Sequence, residues 1–340
     1  MNKTLYLTLI PLICMSMVGC DNNNSQHAQK PVTHTEKTAE TVKAFKDFDE
    51  EMAYQFVKDQ VDFGPRVPGS KAHNDCADYL YGQLRKFCDT AFVQNFKSRV
   101  FDGREFDAKN IIGSFNLETG RRLLLCAHWD SRPFADNDDN PENHNTPIDG
   151  ANDGASGVGV LLEVARQLSI SRPNTGVDII FLDMEDYGPT EDYKAKSNTS
   201  TELLWGLGSQ YWAKNPHVAG YDASYGILLD MVGNSNPTFL REQYSDYFAK
   251  RVVDKVWKNA AAIGYGNYFI NKTGGIVTDD HVFINQSRII PTIDIIHQDF
   301  NSPNGLFHEN WHTLKDDISG IDAKSLKIVG DVVLTTVMNE

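Results

Sequence analysis

Phe45, Phe48, Met52 and Phe56 recur at helical spacing, and Ala77, Leu80, Leu84 and Phe87 repeat the pattern after Gly64-Pro65-Arg66-Val67-Pro68-Gly69. This spacing predicts two amphipathic helices opening the fold, separated by a turn. Strand-like stretches follow at 90–101 and 107–115. Short apolar runs then stand at 123–128, 177–182, 225–230 and 289–296, and helical patterns lie among or after them at Val158 to Leu168, Gly208 to Lys214, Tyr244 to Ile263 and Leu326 to Val337. A short apolar run without alternation is a strand buried on both faces. Such strands interleaved with helices predict a three-layer α/β sandwich: a mixed, mainly parallel twisted sheet with helices on both faces. The chain shows no repeat and no shift of composition after residue 44, so 44–340 reads as one domain.

The pattern is different at the start. Lys3 precedes an apolar stretch from Leu5 to Val18, too short for a comfortable membrane span of roughly 20 residues and followed at once by Asp21-Asn22-Asn23-Asn24. Residues 1–19 therefore read as a signal peptide. Met17-Val18-Gly19-Cys20 resembles a bacterial lipobox, which makes Cys20 the expected lipidation site. The polar stretch 20–43 reads as a disordered tether. The expected location is outside the cytoplasm, in the periplasm or outer envelope, with a lipid anchor through Cys20.

Composition narrows the partners. The 340 residues hold 32 Lys and Arg against 46 Asp and Glu, a formal charge of −14, so no electrostatic footprint for nucleic acid is present. Of five cysteines, Cys14 falls in the signal and Cys20 at the lipid site. Cys76 and Cys88 flank one predicted helix, a poor geometry for a bridge, and Cys126 sits in an apolar run as a core filler. Without a CxxC pair, a cysteine zinc site is not expected.

The candidate chemistry lies where strands end. His128-Trp129-Asp130, Glu185-Asp186 and Asp230 each follow an apolar run, Asp153 precedes a predicted helix in Gly150-Ala151-Asn152-Asp153-Gly154-Ala155-Ser156-Gly157, and a further loop runs to His312. Ligands of open α/β sheets bind beyond the carboxyl ends of the strands. Any one such acid is ordinarily a cap or turn residue. Several acids and histidines gathered on one sheet edge repel each other and call for a cation. Carboxylate and imidazole without thiolate suit zinc in an open catalytic site, and an adjacent glutamate that is not a ligand can then move protons. The glycine-rich run at 154–159 has neither dinucleotide spacing nor a P-loop lysine, so it reads as close packing. Asp136 to Asn140 has Pro141 where a calcium loop needs glycine, and reads as a solvated loop. His144, His217, His297 and His308 have no identifiable partner and read as surface histidines.

His128-Trp129-Asp130-Ser131, the Asp153 loop, Glu185-Asp186, Leu228-Leu229-Asp230 and Trp311-His312-Thr313 together resemble the zinc aminopeptidase fold and, within it, the glutaminyl-peptide cyclotransferase branch. The resemblance runs from about Phe63 to the C-terminus. It implies one catalytic zinc held by Asp153, Asp186 and His312, with Glu185 as general base and acid. It also implies a carboxyl pair, Asp230 and Asp279, beside the substrate, and aromatic walls from Trp311, Phe307 and Trp205. The implied partners are peptides and proteins with N-terminal glutamine, closed to pyroglutamate with loss of ammonia. This chain has Asp186 where the animal enzymes have glutamate, and its segment between Asp186 and Leu207 is longer. Two alternatives stay open. A two-zinc aminopeptidase would use His128, Asp153, Asp186, Asp230 and His312, and a non-catalytic zinc-stabilised binding lipoprotein would be expected to lack Glu185.

Overall fold

The computed structural model describes residues 42–288 and 290–340; the expected signal peptide, Cys20 and nearly all of the tether lie outside them. Helices α1 (Glu50–Val61) and α2 (Lys71–Phe87) come first, each started by a side-chain cap: Asp49 accepts from the Glu51 and Met52 amides, and Ser70 from the His73 amide. There follow β1 (Thr90–Arg99), β2 (Glu105–Phe115), β3 (Arg122–His128), α3 (Ala155–Ile170), β4 (Gly176–Leu182), α4 (Glu191–Lys196), α5 (Leu207–Lys214), β5 (Tyr225–Asp230), β6 (Phe239–Arg241), α6 (Gln243–Ala262), β7 (Phe269–Thr273), α7 (Asp280–Arg288), β8 (Thr292–Ile296) and α8 (Ala323–Met338).

The main sheet has the order β1-β2-β4-β3-β5-β8. β4, β3, β5 and β8 run parallel, and the β1–β2 hairpin joins antiparallel at one edge. Alternation inside the apolar runs builds the layers. Leu123, Leu125 and Ala127 of β3 face the larger core under α1, α2, α3, α6 and α8, whereas Leu124 and Cys126 face the smaller one with Trp212 of α5 and Ile284 of α7. The expected three-layer sandwich is what is observed. The glycine run at the start of α3 permits close approach: a Cβ on Gly157 would stand 2.3 Å from the Leu229 carbonyl oxygen.

β6 and β7 form a small parallel sheet that no expectation anticipated, and α4 and α7 were likewise unforeseen. Two histidine expectations are overturned. The side chain of His217 is buried, accepting from Trp212 Nε1 at 3.1 Å, and His297 accepts the Thr238 amide at 2.7 Å and is 5% exposed. Cys76, Cys88 and Cys126 are free thiols, and Cys126 is buried as expected.

Chain reversal sets the position of the site. β3 passes through α3 to β4 on one side, and β4 passes through α5 to β5 on the other, so the loops leaving β3, β4 and β5 open at a topological switch point.

Candidate active site

β3 ends on His128, β5 ends on Asp230, and Asp153 stands in the loop ahead of α3. His128 Nε2 lies 3.2 Å from an oxygen of Asp153 and 3.2 Å from one of Asp230. The other Asp153 oxygen faces His312 Nε2 at 3.5 Å, and an Asp186 oxygen faces the same nitrogen at 3.3 Å. Two three-residue groups of ligand size therefore share Asp153: His128, Asp153 and Asp230 on one side, Asp153, Asp186 and His312 on the other. All five residues are buried.

The surroundings fit zinc by three observations. The donor set is imidazole and carboxylate, the borderline-hard combination that zinc accepts. His312 Nδ1 lies 3.4 Å from Asp136, an arrangement that leaves Nε2 for a metal, as carboxylate-oriented ligand histidines do. One oxygen each of Asp153 and Asp186 is buried without a hydrogen-bond partner. Asp136 is itself fixed by Arg132, with contacts of 2.8 and 2.6 Å. The expected solvated loop at 136–140 thus begins with a residue whose side chain is enclosed and orients His312, because Arg132 and His312 neutralise it.

Asp130 presents the two acids after β4. Its oxygens accept the Glu185 amide at 3.0 Å and the Asp186 amide at 3.1 Å, so both residues leave the strand in a fixed direction. Met184, Met231 and His312, adjacent to or within the site, have φ of 61°, 47° and 56°. Non-glycine residues seldom adopt this left-handed conformation, and such outliers gather where geometry serves chemistry.

Beyond these residues opens a cavity of about 330 Å³, near the lower end of small-molecule sites, lined among others by Glu185, Asp230, Asp279, Trp205, Phe307 and Trp311. Asp153, Asp186 and His312 line it too, whereas His128 and Asp130, also expected at the site from sequence, stand behind its wall. Trp311 stacks on His312 at 3.8 Å between ring centroids, and Phe307 lies 4.8 Å from Trp311. Trp205 runs nearly parallel to His312 at 6.4 Å and carries Arg132 and Lys194 near its faces at 5.0 and 4.9 Å. Lys194, on the longer segment after Asp186, was not anticipated.

Burial dominates the electrostatics. It pushes the Glu185 carboxyl well above the ordinary range, with Asp279 and Asp186 adding to it and His128 opposing. Burial raises Asp230 to about 7, with Asp153 contributing and the His128 contact opposing. Burial also raises Asp186 and Asp279. Asp153 is held below its usual value, against burial, by His128 and His312. Carboxylates crowded in this way repel one another as anions, and a bound cation would relieve that repulsion in place of the protons.

The fold and this carboxylate–imidazole centre define a metallopeptidase-like α/β protein. Residues 110–337 match the model of peptidase family M28, and the chain belongs to that family. A glutaminyl cyclase from Bacteroides thetaiotaomicron of known structure is 50% identical over 88% of this chain and all of its own, with a TM-score of 0.84. A leucine aminopeptidase precursor from the same organism is also 50% identical, over 88% of this chain and 99% of its own, with a TM-score of 0.83. The bovine glutaminyl-peptide cyclotransferase is 25% identical over 308 residues, 80% of this chain and 78% of that protein.

Proposed function

We propose that the chain is a zinc-dependent glutaminyl-peptide cyclotransferase, acting on peptides and proteins with N-terminal glutamine and holding one zinc through Asp153, Asp186 and His312. The observation that carries this reading is the aromatic-walled cavity that closes on Glu185, a buried carboxylate beside the ligand group but outside it. Bound zinc supplies a Lewis acid for the γ-carboxamide oxygen of the substrate. Trp311, Phe307 and Trp205 enclose the side-chain stem of glutamine and exclude water. Glu185 takes a proton from the α-amine; the amine nitrogen bonds to Cδ, the bond from Cδ to the amide nitrogen breaks, and Glu185 returns the proton to the departing ammonia. Asp230 and Asp279 line the same cavity and accept hydrogen bonds from the amine. Since nucleophile and electrophile belong to one residue, the walls need only hold a folded conformer.

A specific observation favours a second reading. The His128, Asp153 and Asp230 group is as compact as its neighbour, which is what a two-zinc aminopeptidase requires. Mass spectrometry of products separates the two. We expect Gln-initiated peptides of varied second residue to lose the mass of one ammonia with every peptide bond intact. Release of free leucine from a Leu-initiated peptide at a comparable rate would establish the peptidase instead.

The lipobox-like run at 17–20 supports export and anchoring through Cys20. Intact-mass measurement of the native protein should find a chain beginning at Cys20 with acyl mass; a mature start beyond Cys20 without it would refute the anchor.

A further inference from the structure

Three successive amides of the loop that carries Asp153 converge on one residue that no motif marks. The Ala151 amide donates to the Asp316 carbonyl oxygen at 3.2 Å, the Asn152 amide to Asp316 Oδ1 at 2.8 Å, and the Asp153 amide to Asp316 Oδ2 at 3.1 Å. Asp316 is 4% exposed. On the other side of the loop the fully buried guanidinium of Arg66 donates to the carbonyl oxygens of Asp149 and of Gly150, the latter at 2.8 Å. The loop is thus gripped at its carbonyls by a guanidinium that donates and at its amides by a carboxyl group whose two oxygens both accept, each matched to the dipole it meets. Asn152 adds a tie of its own, accepting the Gly233 amide at 2.7 Å and donating to Asn234 at 2.6 Å. The turn ends at Gly154, whose φ of 105° and Cβ clearance of 2.6 Å from the Asp130 carbonyl oxygen leave room only for glycine.

Asp316 lies four residues beyond His312 on the same turn-rich segment. That segment therefore delivers one ligand as a side chain and fixes the backbone of another. We propose that Asp316 is a positioning residue: its carboxylate holds the Asp153 loop in ligand geometry before zinc arrives, so that Asp153 and His312 are set by one short stretch of chain. The inference rests on Asp153 being a zinc ligand. A loop ordered in advance spares the metal the entropic cost of ordering it, which is why groups behind metal ligands typically alter affinity by ~10–100-fold.

The test uses the full chain. Asp316→Asn keeps the size of the side chain but turns an N–H toward one of the two amides. It should weaken zinc binding by ~10–100-fold in competition with a chelator, while circular dichroism stays native and turnover recovers when zinc is saturating. A merely structural role would lower the Tm and leave zinc affinity unmoved, and a folded Asp316→Asn variant binding zinc within twofold of wild type would overturn the proposal. Should that variant fail to fold, the wild-type protein decides by amide hydrogen exchange after zinc is stripped. Protected Asn152 and Asp153 amides support prior positioning, and exchange at open-loop rates until zinc is restored refutes it. These readouts are blind to the products formed, so failure of the cyclase reading leaves them interpretable; Asp153→Ala binding zinc like wild type would instead show that the ligand assignment was at fault.

Discussion

Glu185→Gln is expected to lower kcat by ~10²–10⁴-fold, the usual contribution of a positioned proton carrier, while zinc content and Tm stay close to wild type. The backbone of Glu185 is fixed independently of its side chain, by the Asp130 carboxylate on its amide at 3.0 Å and by the Gly206 amide on its carbonyl at 3.2 Å. An amide side chain therefore fits the same space and removes only the proton transfer. Burial with Asp279 and Asp186 nearby keeps the wild-type carboxyl well above its ordinary range, which places it between the roles of base and acid. The sign of the pH dependence follows. Below its raised pKa Glu185 is protonated and cannot act as the base, and below about 7.7–8.0 the substrate amine is protonated and cannot attack. Both effects make wild-type kcat/KM climb with pH on the acid side, and the variant should lose the limb that belongs to Glu185. Ammonia release followed from acid to mildly alkaline pH, with metal analysis on the same samples, provides the check. Retention of more than half the wild-type kcat would remove Glu185 from the chemistry.

The layers of the fold were legible in the sequence because β3, β4, β5 and β8 are buried on both faces, and a two-sided sheet accounts for short apolar runs without alternation, even with Asp178 inside β4 and Asp294 inside β8. α7 was not legible. It buries Asp280, His281 and Asn285 together with Val282, Phe283 and Ile284, a continuous and half-polar stretch that gives no hydrophobic period. α4 contains no buried residue, and β6 is three residues long, so neither offers a pattern to read.

The residues that touch the cavity were visible as a set of strand-end acids, histidines and aromatics. Those that hold them in place were not. Asp130 is visible only as part of the His128-Trp129-Asp130 motif, with no sign of the two amides it holds; Asp316 looks like a turn acid along the chain, and Asp136 sits in an acidic run that reads as solvated. Their roles depend on partners far away in sequence: Asp136 on His312, and Asp316 on residues 151–153. Spacing along the chain carries no signal for such pairs. The left-handed φ at Met184, Met231 and His312 was equally hidden, since no glycine or asparagine marks those positions.

Asp153→Ala should strip the protein of zinc and of measurable turnover, a larger loss than any other single ligand substitution, because Asp153 is the one residue common to both ligand groups. Without it each group falls to two protein ligands, below the three that an open zinc site keeps. Stability of the zinc-free protein should fall only modestly. There the Asp153 charge helps to raise Asp186 and Asp230, but its contacts with His128 and His312 outweigh its burial and hold its own pKa below the usual value, so removing it loses a net favourable interaction while easing that repulsion. A cooperative thermal transition kept by the zinc-free variant, at a Tm somewhat below that of zinc-free wild type, distinguishes loss of a ligand from loss of fold. Two companions complete the experiment. His312→Ala disables only the group with Asp186, and Asp230→Ala only the group with His128. With one zinc per chain, Asp230→Ala keeps the full metal content of wild type and His312→Ala loses it. With two, wild type holds a second equivalent and Asp230→Ala gives up one. Metal analysis after dialysis against chelator, beside thermal unfolding of the same samples, reads all of these outcomes, and full occupancy in Asp153→Ala would overturn the ligand set.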